Sequence, residues 1–291
     1  MKEIKDNIPI HTRVAWDKLY ARLKAEDLVP LQDVKPGNSL AYYGLRIAAV
    51  GFILLGIGFA IYLNLYHRPE VAMLKLNTSN ETATLIKTLG DGSVIYLAEN
   101  SIFSFPAEFK SGSRNVELKG EAFFDIARNP SKPFIIETDE VLILVLGTAF
   151  NVKTKNGNGF ELFVDRGKVK VTMKKHPSHS EIVVAGEMIS TVDNSLVKSK
   201  HPAEGAGSWY TRRMHFKDET LSDIITVLNR NFNTNFVLAD EETGKHKLTV
   251  TFQNETAVTM TELICVALNL KSQTINGSVV FSEIKKGAKR Y

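Results

Sequence analysis

Of the 291 residues only one is cysteine, Cys265, so the chain can form no internal disulfide and no cysteine-based zinc site. Its apolar neighbours Leu263, Ile264, Val266, Ala267 and Leu268 predict a small buried residue. Charge of one sign is also scarce. The 36 Lys and Arg against 32 Asp and Glu leave a formal +4, and the two signs alternate along most of the chain instead of forming a basic stripe. Nucleic acid is therefore not an expected partner. Catalytic signatures are missing as well: there is no GxSxG, no Walker loop and no dinucleotide fingerprint. His176 and His179 flank Pro177 and read as a solvated hairpin loop, not a ligand pair. Glu121 and Asp125 share one face of a strand, as paired glycosidase carboxylates do, but no aromatic sugar platform accompanies them. No catalytic, cofactor or metal site is expected, and the chain is not read as an enzyme.

What the sequence does contain is one long run without charge. Ile47 to Tyr66 (IAAVGFILLGIGFAIYLNLY) is 20 residues, which as a helix spans about 30 Å, the thickness of a bilayer's hydrocarbon core. Tyr42, Tyr43, Tyr62 and Tyr66 stand where interfacial aromatics belong. The run begins after 46 residues and has no small-x-small cleavage site, so it is expected to stay as a single-pass anchor. Lys35 and Arg46 on one flank balance Arg68 and Lys75 on the other, and charge gives no orientation.

Before this run, residues 12–26 place Trp16, Leu19, Tyr20 and Leu23 at i, i+3, i+4 and i+7, one face of a helix. A tail of 46 residues cannot build its own core, so this face needs a partner protein or a membrane surface.

After the run, residues 85–197 read as short strands with explicit turns at Asp91-Gly92, Asn156-Gly157-Asn158-Gly159 and Asp165-Arg166-Gly167. Val169, Val171 and Met173 alternate with Lys168, Lys170, Thr172 and Lys174, a half-exposed strand, whereas Val141 to Leu146 is continuously apolar and predicts burial on both faces. Gly92, Gly120, Gly147 and Gly167 are expected at turns or tight crossings, and Phe123, Phe134, Phe150 and Phe163 in the core. Ser199 to Ser208 (SKHPAEGAGS) reads as a linker. Beyond it come a helix opened by Thr220, with Leu221, Ile224, Ile225 and Leu228 on one face, strands at 235–239 and 248–252, a second helix from about Thr256 with Met260, Ile264 and Leu268, and a strand at 279–282 after Asn276-Gly277. The expected fold is mainly β, a twisted sandwich or solenoid-like domain, followed by a small α+β domain, with one transmembrane helix and a helical tail. The expected boundaries are 1–46, 47–66, 67–198, a linker at 199–207, and 208–291.

Four successive blocks, LGDGSVIYLAENSIFSFP (89–106), RNVELKGEAFFDIARNPSKPFII (114–136), VLGTAFNVK (145–153) and FVDRGKVKV (163–171), resemble the signatures of the FecR family, bacterial transmembrane anti-sigma factors. AEN at 98–100 is a small departure, standing where the family often has Asn directly after the Leu. Residues 208–283 resemble the domain that ends FecR-type proteins of the Bacteroidota kind, similar to the short N-terminal domain of secretins and TonB-dependent receptors. The resemblance implies a bacterial inner-membrane protein with its N-terminus in the cytoplasm and its C-terminal domains in the periplasm. It implies a tail that holds an extracytoplasmic-function sigma factor, with Trp16, Leu19, Tyr20 and Leu23 as the contact, and a periplasmic region that receives a signal from a TonB-dependent outer-membrane transducer. Periplasmic and intramembrane proteases are possible further partners. The rival reading is a membrane-anchored periplasmic scaffold or glycan-binding protein.

Overall fold

The computed structural model describes residues 10–26, 28, 39–66, 72–80, 83–154, 159–200 and 209–284. They divide into two units, one before residue 71 and one after it.

The first unit contains helices α1 (Ile10–Ala25) and α2 (Ser39–Tyr66). In α2 the apolar side chains are exposed on every side, Phe52 at 77% and Leu55 at 71% among them. The helix starts eight residues before the uncharged run. Among the described residues no helix is long and apolar enough to cross a membrane.

The second unit begins with strands β1 (Met73–Asn77), β2 (Thr84–Thr88), β3 (Val94–Leu97), β4 (Ile102–Pro106), β5 (Arg114–Lys119), β6 (Glu121–Asp125) and β7 (Phe134–Glu137). It continues through β8 (Val141–Val145), β9 (Ala149–Thr154), β10 (Phe160–Arg166), β11 (Lys168–Met173), β12 (Ser180–Val184), β13 (Glu187–Val192) and β14 (Ser195–Lys200). Then follow α3 (Trp209–Arg212), β15 (Arg213–Thr220), α4 (Leu221–Phe232), β16 (Phe236–Leu238), α5 (Glu241–Gly244), β17 (Lys247–Gln253), α6 (Ala257–Leu268), β18 (Leu270–Ile275) and β19 (Ser278–Glu283).

From β2 to β14 the chain lays down strands two at a time, apart from single β6, alternating between two sheets. One sheet has the order β1-β4-β5-β7-β8-β11-β12, and the other contains β14-β13-β10-β9-β6-β3-β2. Their inner faces share one core that includes Ile95, Phe103, Phe124, Phe134, Phe150 and Val171, which makes this region a sandwich and not a solenoid. Several passages between sheets turn on glycine. Gly120 (φ +101°) carries the chain from β5 to β6, and a Cβ there would lie 2.7 Å from the Ser101 Cα. Gly147 (φ +151°) carries it from β8 to β9 with Arg128 Cα 2.6 Å from the same imagined atom. Any larger residue at either corner would both strain the backbone and collide.

The second sheet does not stop at β2. Strand β15 pairs with it in parallel, Met214 beside Thr84 and Phe216 beside Ile86, and β17 extends the sheet to nine strands. Central strands of this sheet are therefore covered on both faces. In β3, Ile95 and Leu97 face the sandwich core while Val94 and Tyr96 face a second core with Met214, Phe216, Ile224 and Leu228. Helix α4 supplies this second core because Leu221, Ile224, Ile225 and Leu228 recur at helical spacing. Thr220 caps it, its hydroxyl accepting from the Asp223 N–H at 3.2 Å, and Thr256 caps α6 in the same way. Strands β16, β19 and β18 form a small third sheet. Most of the expected linker, 201–208, lies outside the described residues, as do residues 156–158 of the expected turn at 156–159; Ser199 and Lys200 end β14.

Candidate functional site

Two regions carry exposed or paired side chains suited to recognition. The first is α1. Trp16 is 65% exposed, Leu19 and Tyr20 are exposed, and Leu23 is half-exposed, so the stripe read from the spacing lies on one helical face without cover from the described chain. Val14, also exposed, falls on the opposite side, and the helix is less one-sided than its aromatic stripe alone implies.

The second region is the joint between sandwich and C-terminal domain. Phe123 on β6 stacks on Tyr210 of α3 with ring centres 4.0 Å apart, and Tyr96 meets both rings. The Tyr96 hydroxyl accepts from the Asn231 amide at 2.7 Å. Burial pushes the Tyr96 and Tyr210 hydroxyls above the ordinary tyrosine range, and the neighbouring Asp125 carboxylate pushes both further. Asp125 receives Arg166 of β10 at 2.8 Å and Arg230 of α4 at 3.3 Å, so one carboxylate ties sandwich and C-terminal domain together. Around these groups lies a cleft of about 760 Å³, also bordered by Arg128 and Asp165. Along the shared sheet, Glu219 is 3% exposed and pairs with Lys87 of β2 at 2.5 Å. A bulge in β15, with Asp218 at φ +54°, re-aims the chain there.

The suspected carboxylate pair has another use. Glu121 bonds Lys153 at 2.8 Å and the Asn151 amide at 3.0 Å, and Asp125 is held by its two arginines. The Glu121 bond raises the Lys153 ammonium above its ordinary range. His176 and His179 do sit in the β11–β12 loop. Among the described residues no group of three or more His, Cys, Asp or Glu could hold a metal ion.

Three readings need correction. Cys265 is half-buried at the flank of the second core, not enclosed. Phe163 is half-buried, because β10 turns Phe160, Leu162 and Val164 inward and the alternate set outward. Strand β8 buries only Val141, Ile143 and Val145, since among the described residues no layer covers the outer face of its sheet where Leu142 is exposed.

Sequence reasoning also missed a buried ion pair. Arg114, 1% exposed, pairs with Asp91 at 2.5 Å, donates to the carbonyls of Lys132 (2.8 Å) and Ala127 (3.0 Å), and lies over the Phe134 ring. Asp91 also accepts from the Ser93 N–H and hydroxyl. The signal was the alternation of R-N-V-E-L-K, which places Arg114 in register with the inward Val116 and Leu118.

Fold and joint together define a class of β-rich protein in which a sandwich and an α+β domain are built on one continuous sheet. The model of the FecR protein matches residues 75–170, β1 to β11, and the model of the FecR C-terminal domain matches residues 213–281, β15 to β19. The chain belongs to the FecR family. Two crystal structures of a "putative anti-sigma factor" from Parabacteroides distasonis ATCC 8503 are similar to it, each at 25% identity over the whole of that chain. They cover 74% and 73% of this one, with TM-scores of 0.45 and 0.44. No curated protein matches.

Proposed function

We propose that the chain is an anti-sigma factor of cell-surface signalling. Residues 1–46 hold an extracytoplasmic-function sigma factor in the cytoplasm, the helix around 47–66 anchors the chain in the bacterial inner membrane, and the rest receives a signal in the periplasm from a TonB-dependent outer-membrane transducer. The observation that carries this reading is the unpartnered stripe of Trp16, Leu19, Tyr20 and Leu23 in a chain of the FecR family. Trp and Tyr are favoured anchors when a helix lies in an apolar groove. The anchor is supported by the uncharged run and by apolar side chains exposed all round α2, a pattern costly in water. The chain has no catalytic role in this scheme: Asp125 and Glu121 serve as tethers.

In a bacterial two-hybrid assay against the extracytoplasmic-function sigma factors of the same cell, Trp16→Ala and Leu23→Ala each weaken capture, and capture by the doubly substituted tail at wild-type strength would sink the proposal. For the periplasmic side we assign the transducer contact to the edge of β18, which is unpaired among the described residues. Thr274→Pro, whose N–H faces away from β19, abolishes transducer-dependent reporter induction while leaving the tail's capture of sigma factor intact. Passage of the signal involves either proteolysis near the membrane or a change in helix association. A shortened N-terminal fragment on immunoblots of induced cells selects the first.

A further inference from the structure

The outer face of the seven-stranded sheet carries a groove of about 530 Å³ across β8, β11 and β12, within the size range of small-molecule sites. Its floor is set by register: Leu144 lies beside Lys170 and Lys170 beside Ile182, while Lys168 lies beside Val184. Ile182 and Val184 are exposed although apolar. One end closes at the Gly147–Gly167 corner, against Arg128. Arg128, Lys168 and Lys170 all border the groove, no Asp or Glu lines it, and none of the three forms an ion pair or side-chain hydrogen bond among the described residues. An apolar floor under unpaired cations calls for an occupant with an apolar body and a negative head.

The edge strand rules on what that body is. On the free side of β12, Lys198 Nζ donates to the Ile182 carbonyl at 2.9 Å and the Val184 N–H donates to Glu187 Oε2 at 2.9 Å. A peptide strand cannot add there, because those backbone groups are taken. A strand laid across the face would leave its own N–H and C=O groups over Leu144, Ile182 and Val184 without partners. A hydrocarbon chain has no such groups to satisfy.

We propose that this groove binds a single-chain anionic amphiphile, an acyl chain ending in a carboxylate or phosphate. The chain lies over Leu144, Ile182 and Val184 and across Lys170, which the register places between Leu144 and Ile182, and the head is held by Arg128 and Lys168 at the glycine corner. This goes beyond the proposed function; only the nanodisc reference label rests on its anchor at 47–66, so absence of that label bears on the anchor and not on the groove.

The test uses the full chain in phosphatidylcholine nanodiscs, photolabelled with a diazirine analogue of palmitic acid, with labelled peptides mapped by mass spectrometry. Label falls on peptides containing 142–146 and 180–184. Palmitate competes for it and palmityl alcohol does not. Lys168→Glu with Lys170→Glu lowers label at these peptides about tenfold or more, as expected for lost charge-assisted hydrogen bonds. Label on residues 47–66, which reports probe uptake by the disc, stays constant. Both lysines are exposed, and an unchanged thermal melt shows that the variant folds; Ile182→Gln, which keeps every charge, also lowers the label. Equal competition by the alcohol, or label indifferent to charge reversal, overturns the proposal. So does label that appears only in discs containing phosphatidylglycerol, which means adhesion to a bilayer surface, or displacement by an acidic helical peptide at lower concentration than palmitate.

Discussion

Asp91 and Arg114 explain why a hairpin near the start of the sandwich carries Asp-Gly-Ser. The aspartate turns the chain through Ser93 and neutralises a guanidinium inside the protein. Losing one partner of such a pair leaves an uncompensated buried charge, so Asp91→Ala destabilises the second unit by about 3–5 kcal/mol. Adding Arg114→Met recovers some of that loss, and a urea-denaturation cycle over the four proteins measures the coupling. Glu219 gives a pH signature. Burial lifts its carboxyl above the ordinary glutamate range, and Lys87 draws it only some of the way back. A carboxyl with a raised folded value holds its proton more readily when folded, so its contribution to stability is fullest below the unfolded value and falls as pH rises through the folded one. Wild type therefore loses ground to Glu219→Gln as urea melts move from pH of about 4 to about 7. A difference that stays flat over that window, or runs the other way, contradicts this account.

At the scale of elements, the positions that sequence revealed best were those governed by local chemistry. Thr220 was legible as a cap, Thr256 as the approximate start of a helix, and Gly120, Gly147 and Gly167 as turns or crossings, because backbone geometry there depends on one residue. Thr220→Ala is expected to cost about 1 kcal/mol in thermal unfolding. Gly147→Ala costs more, since the added Cβ meets Arg128 as well as an unfavourable φ. Strand β8 was misread because V-L-I-L-V is apolar at every position, and an apolar residue does not announce whether a second layer covers it. The joint was illegible for a related reason. Tyr96, Phe123, Asp125, Tyr210 and Arg230 are scattered over more than a hundred residues, and only the folded sheet brings them to one cleft. The stripe on α1 was legible from spacing alone, because a helical face depends only on the 3.6-residue repeat.

For the molecule as a whole, the shared sheet joins the sandwich and the C-terminal domain into a single cooperative body. Val94, Tyr96 and Phe123 belong to the second core, together with Tyr210 and side chains of α4 and β15. Residues 71–291 are expected to unfold in a single transition by calorimetry, and residues 71–200 alone are expected to bind ANS and aggregate, because the second core is laid open. Two separate transitions would show that the two domains fold independently. Removing residues 208–291 therefore uncovers the outer face of the sandwich as well as deleting the C-terminal domain. The same sheet limits transplantation. Exchanging the C-terminal domain between relatives at residue 208 keeps every loop intact yet mismatches the graft bed on β2, β3 and β6. A working chimera has to carry Ile86, Lys87, Val94, Tyr96, Phe123 and Asp125 along with the transplanted domain.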